Sequence, residues 1–226
     1  MIIDNFELIK KHLLFNNQKD RYVIHILQRK KDNMNNVNGC NKSHLIKTYY
    51  INSIEYFEKK ISTIKEICKT TNSRAYIIIS PKDIEDCLFY LNEKILQILR
   101  YKNYNIDLEH LVRSAFCENH HSTNKRWILD LDNDEMHGWT VEDVVSLVKR
   151  HVIEVGKNPD DIFIVPTKNG CHVITPPFNI QNARQECKMI FEGVLSFDFI
   201  NFVKKTGWLH KDGMTLLYYN NEEQIS

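Results

Sequence analysis

Short runs rich in β-branched and aromatic residues alternate with longer stretches whose apolar positions recur at helical spacing. This alternation narrows the available folds more than any other feature of the chain. RYVIHILQRK (21–30), HLIKTYYINS (44–53), RAYIIIS (74–80), RWILDLD (126–132), DIFIVPTKNG (161–170), CHVITPPF (171–178) and GMTLLYYN (213–220) have the length and composition of strands. Residues 54–70 have the period of a helix. Pro81 is expected to open a second helix, with Ile84, Leu88, Leu91, Ile95 and Ile98 on one face. Thr140 is expected to cap a third, TVEDVVSLVKRHVIEV, whose first turn carries Glu142 and Asp143. Further helices are expected over MIIDNFELIKKHLLF (1–15) and over about 181–194. Elements interleaved in this way predict a mixed α/β (α+β) class. Residues 1–125 read as an N-terminal α/β unit and 126–226 as a second unit, together forming one compact domain.

At 226 residues and 42% hydrophobic, the chain has material for one large core or two small ones. No apolar run approaches the ~18–20 residues of a membrane span. Asp4 and Glu7 argue against a signal peptide, so a cytoplasmic protein with no membrane partner is expected. The six cysteines form no CxxC pair, which excludes a zinc ribbon and suits a reducing compartment. Cys117, His120 and His121 lie close in sequence but lack a fourth ligand nearby, and read as a polar loop before a strand. The net charge of +1 hides an asymmetry. Residues 1–126 carry 21 basic and 14 acidic side chains, whereas residues 127–226 carry 9 and 15. A basic half beside an acidic half suits polyanions in one part and cations in the other.

The acidic half contains the most informative segment, RWILDLDND. In a strand, residues i and i+2 share a face, so Asp130 and Asp132 stand together with Leu129 and Leu131 turned away. Adjacent carboxylates repel unless a cation lies between them, and a hard ion such as Mg²⁺ or Mn²⁺ takes oxygen ligands. Asp134 and Glu135 extend the patch into a loop. Downstream, PTKNGCHVITPPF pairs a tight Asn169-Gly170 turn with Lys168 before it and His172 after it. Such a turn lets backbone N–H groups approach a phosphate, beside a lysine point charge and an imidazole donor. Near the end, WLHKDGMTLLYY places Asp212 next to Lys211, and a third carboxylate beside the first two would complete a two-ion site. Asp198 is a competing third acid.

Asp130-Leu131-Asp132, then Gly170-Cys171-His172, then Asp212 resembles the motif order of the archaeo-eukaryotic primase superfamily, which includes phage and plasmid primase-polymerases. The resemblance covers about residues 74–219. It implies a modified RNA-recognition-like catalytic sheet with an α/β unit packed before it. It also implies that Asp130, Asp132 and Asp212 bind Mg²⁺ or Mn²⁺, and that Lys168, Asn169, Gly170, His172 and Lys211 hold the phosphates of nucleoside triphosphates. The implied activity is template-dependent nucleotidyl transfer in phage-type DNA replication, on single-stranded DNA, with any helicase a separate protein and the bacterial host cytoplasm as the site of action. Arg29, Lys30, Lys31 and Arg74 are expected to track the template backbone, and Tyr49, Tyr50, Tyr101, Tyr104, Tyr218 and Tyr219 are candidates for base stacking. Trp127 and Trp208 are expected to pack. Two other readings use the same residues: a metal-dependent nuclease, and a catalytically inactive nucleic-acid-binding accessory.

Overall fold

The computed structural model describes residues 1–29, 43–117, 123–133, 136, 140–183, 209–211 and 213–220. The class is mixed α and β, with antiparallel sheets. Two units emerge, one made of Met1–Asn124 with Leu216–Ser226 and the other of Lys125–Thr215. No helix among the described residues is long and apolar enough to cross a membrane.

The first unit has a five-stranded sheet ordered β1-β9-β4-β2-β3. Its members are β1 (Ile2–Asp4), β2 (Asp20–Gln28), β3 (His44–Ile51), β4 (Arg74–Asp83) and β9 (Met214–Asn220). Val23, Ile24 and Ile26 on β2 and Ile77 on β4 are fully buried, which is why these runs read as continuous apolar strands. Helix α2 (Ile54–Thr70) starts where Ser53 accepts the N–H of Tyr56, and buries Phe57, Ile64 and Cys68 along one stripe.

Two expectations in this unit need correction. The N-terminal segment is a strand followed by a short helix, α1 (Phe6–Lys10), and not one amphipathic helix. Ile2 and Ile3 pair with Asn220 and Tyr219, and the Asn5 side chain donates to the Leu216 carbonyl, so a sheet edge outcompetes helical propensity. Pro81 lies inside β4 and not at the head of a helix. The β2–β4 register shifts between Arg21 and Val23, and Pro81 falls in that irregularity, where a residue without an N–H breaks no ladder bond. Helix α3 (Ile84–Tyr101) opens instead at Asp83, whose carboxylate accepts from the N–H groups of Glu85 and Asp86. Residues 108–117, for which the sequence suggested no element, form a helix, α4 (Leu108–Cys117), begun by Asp107 accepting from the N–H of His110.

The second unit has a four-stranded sheet ordered β6-β7-β5-β8. Its strands are β5 (Trp127–Asp132), β6 (Phe163–Pro166), β7 (Gly170–Thr175) and β8 (Leu209–His210). Helix α5 (Val141–Glu154) links β5 to β6 and begins with the expected cap, since Thr140 and Asp143 bond each other reciprocally. That exchange holds the Asp143 carboxyl below its usual range. Leu129 and Leu131 on β5, Cys171 and Val173 on β7, and Val144, Val148 and Val152 on α5 make the core of this unit. The helix expected over about 181–194 is seen at 180–183, after Asn179 caps it, and the remainder of that expectation lies outside the described residues. The final strand does not stay with the second unit, because β9 from Leu216 onward belongs to the sheet of the first.

Candidate active site

Strand β5 lies between β7 and β8, so its residues face neighbours on both sides. Alternation turns Leu129 and Leu131 into the core with α5 and leaves Asp130 and Asp132 together on the opposite face. The register with β7 sets Asp130 directly opposite His172 and Asp132 directly opposite Gly170. His172 Nε2 lies 3.2 Å from Asp130 Oδ1; the imidazole is 12% exposed and the carboxylate 40%. On the other side of the ring, His172 Nδ1 lies 3.0 Å from Thr215 Oγ1, and Thr215 is fully buried. The imidazole is thus held at both nitrogens. The β5–β7 pairing therefore brings together Asp130, Asp132, Gly170 and His172, four residues placed in the site from the sequence.

Gly170 is needed for a different reason from the one expected. The corner of the β6–β7 hairpin is formed by Lys168 and Asn169, closed by the Thr167 N–H donating to the Gly170 carbonyl at 3.0 Å, and Gly170 is already a strand residue. A Cβ there would overlap the Leu131 carbonyl oxygen and reach within 3.0 Å of Asp132 Cα. The glycine thus permits close approach of β7 to the acidic strand. Lys168 and Asn169 are exposed at the corner, and the Asn169 carbonyl accepts from the Asn133 N–H at 3.0 Å, tying the turn to the end of β5. Cys171 points to the other face, where burial first and the Asp130 charge second push its thiol up to about 11. It stays protonated at neutral pH and serves packing.

Other expected residues fare differently. Asp212 lies outside the described residues, as do Lys30, Lys31, His120, His121, Asp134, Glu135, Asp198 and Trp208. Lys211 stands over the ring of Trp127 at 5.5 Å, and Trp127 packs on the core side of β5, away from the face of Asp130. Arg74 is buried with its guanidinium 4.3 Å from the Tyr219 ring centroid. Arg29 is exposed, 5.8 Å from the Tyr76 ring. Tyr49, Tyr218 and Tyr219 are buried, whereas Tyr101 and Tyr104 are open to solvent.

Among the described residues no three His, Cys, Asp or Glu side chains are grouped closely enough to hold a metal by themselves. The donor type of Asp130 and Asp132, paired carboxylates on one face, fits a hard divalent ion. Thr215 was not found from the sequence; a threonine within the apolar run MTLLYY was its only trace. The same holds for His25, buried with Nδ1 3.0 Å from Thr48 Oγ1 and Nε2 3.7 Å from the exposed Cys117 Sγ. Compared with protein-family models, curated proteins and solved structures, the chain matches none.

Proposed function

We propose that the chain is a template-dependent nucleotidyltransferase of the primase-polymerase kind, joining nucleotides with divalent ions held by its paired acids. The observation that carries this reading is the cross-strand set on β5 and β7, with Asp130 opposite His172 and Asp132 opposite Gly170. The order β6-β7-β5-β8, with β5-α5-β6-β7 in sequence, supports a split-βαβ sheet of the RNA-recognition kind. Both central strands of that sheet carry the acids and the imidazole.

On this reading Asp130 and Asp132 are the oxygen ligands from one strand, and Asp212 is the further acid. These acids would hold the divalent ions, whose charge would serve to neutralise the triphosphate and ease deprotonation of the attacking hydroxyl. The chain itself supplies placement. An ionised carboxylate only accepts, so His172 presents its Nε2–H toward Asp130; once Asp130 is turned to a cation, that donor is available to a phosphate oxygen. Lys168 at the exposed corner adds a point charge to the same phosphates. Single-stranded DNA and nucleoside triphosphates are the partners, with a replicative helicase as a separate protein.

The test incubates the full chain with single-stranded template, labelled nucleotides and Mg²⁺ or Mn²⁺. Incorporation by the wild type and its loss in Asp130→Ala/Asp132→Ala is the expected result. DNA cleavage without nucleotides would mean a nuclease instead. Template binding that is equal in both proteins, with no incorporation, would mean an inactive accessory. Metal binding has its own readout: Mg²⁺ should raise the melting temperature of the wild type and not of Asp130→Asn/Asp132→Asn.

A further inference from the structure

Helix α3 has two unlike faces. One buries Cys87 and packs Ile84, Tyr90 and Leu91 into the core of the first unit. The other is open: Leu88 is 53% exposed, Phe89 67%, Ile95 39%, Leu96 57% and Leu99 55%. At about 100° per residue these five and Asn92 fall on one arc centred on Asn92. A continuous apolar stripe of this kind on a soluble helix marks an interaction surface.

We propose that a second copy of this chain covers the stripe, docked antiparallel on α3 about a two-fold axis at Asn92. Asn92 is the one polar residue at the centre of that apolar arc, and a single Asn within such a seam sets its register. The axis at Asn92 makes the stripe self-complementary. Leu88 meets Leu96 of the second copy, Phe89 meets Ile95, and the Asn92 amides pair with each other, the matched placement that a two-fold interface requires. Charge selects the antiparallel sense. The first turn holds Glu85 and Asp86, and the helix ends at Arg100 with Lys102 as its left-handed cap. Antiparallel docking sets each acidic turn beside the other copy's basic end, whereas parallel docking stacks like on like. Glu85 also pairs with Lys19 of its own chain, which leaves Asp86 as the main acidic contact.

Sedimentation of the full chain over rising concentration tests this. A shift from 26.8 kDa toward twice that mass is expected. Leu96→Asp should weaken the association by at least about tenfold, since it buries a charge at the seam. Its side chain is more than half exposed, so an unchanged circular dichroism spectrum should show intact folding. Asp86→Arg and Arg100→Asp should each weaken it, and the double exchange should restore it. Asn92→Cys should cross-link into a dimer on oxidation while Leu99→Cys should not. A wild type that stays monomeric overturns the proposal, including the case where α3 is protected from hydrogen exchange in the monomer and so is covered by its own chain. A dimer untouched by Leu96→Asp, or cross-linked through Leu99→Cys and not Asn92→Cys, overturns it as well.

Discussion

His172 is held from both sides, and in the neutral ring this sets which nitrogen carries the proton. Asp130 accepts from Nε2–H, so Nδ1 is left to accept from the Thr215 hydroxyl. Replacing Thr215 by Val removes the partner of Nδ1 and frees the ring to change tautomer. Nitrogen NMR should then show mixed protonation at Nδ1, and incorporation should fall about tenfold, while Thr215→Ser keeps both near wild type. His25 offers a second residue-scale outcome. Burial, with Arg113 adding to it, lowers its pKa to about 4 from an ordinary 6.5. The unfolded chain therefore takes up a proton below 6.5 that the native protein refuses until about 4. Stability present above pH 6.5 is lost as pH falls through that window, by on the order of 3 kcal/mol. Urea unfolding of His25→Gln should show a correspondingly shallower loss between neutral pH and pH 4.

Between elements, the consequential contact is the approach of β7 to β5. The ladder fixes Asp132 opposite Gly170, and only a residue without a Cβ fits against the Leu131 carbonyl. Gly170→Ala should destabilise the protein by about 3 kcal/mol, read from its chemical denaturation, because β7 must shift and take His172 with it. The sequence foretold a glycine here but attributed it to the turn, since Asn-Gly usually marks a turn corner. The pair DLD was legible because strand alternation needs only i and i+2. The cross-strand partner of Asp130 was not, because register depends on where the hairpin turns, and the corner falls at Lys168-Asn169. Helix α3 shows the same limit. Its period was visible, but Ile84, Cys87 and Leu91 make the inward stripe while Leu88 and Ile95 face out. Period alone does not say which side of an all-round apolar helix finds the core.

At the scale of the molecule, the chain gives its last strand back to its first unit. Asn5 binds the Leu216 and Leu217 carbonyls, so the two ends of the chain share a sheet edge. The excess of basic residues before 127 and of acidic ones after it remains consistent with template and cation binding by different parts of the proposed transferase. Single-stranded DNA binding should then fall by about an order of magnitude between low and physiological salt, as expected for a few phosphate contacts, when followed by fluorescence anisotropy. Chelating divalent ions should abolish incorporation and leave this binding in place.

Local patterns determined the class, the strands β2 to β7 apart from their ends, the cap of α5, and the pairing of two acids on one face. Those features depend on neighbours within a few positions, where backbone geometry and side-chain period act directly. Tertiary structure alone decided that Thr215 bonds His172, that Arg74 is buried on Tyr219, that Pro81 sits in a sheet irregularity and that β9 completes the first sheet. Each of these joins residues far apart in sequence, and such contacts follow from register and packing between elements, which no local pattern encodes.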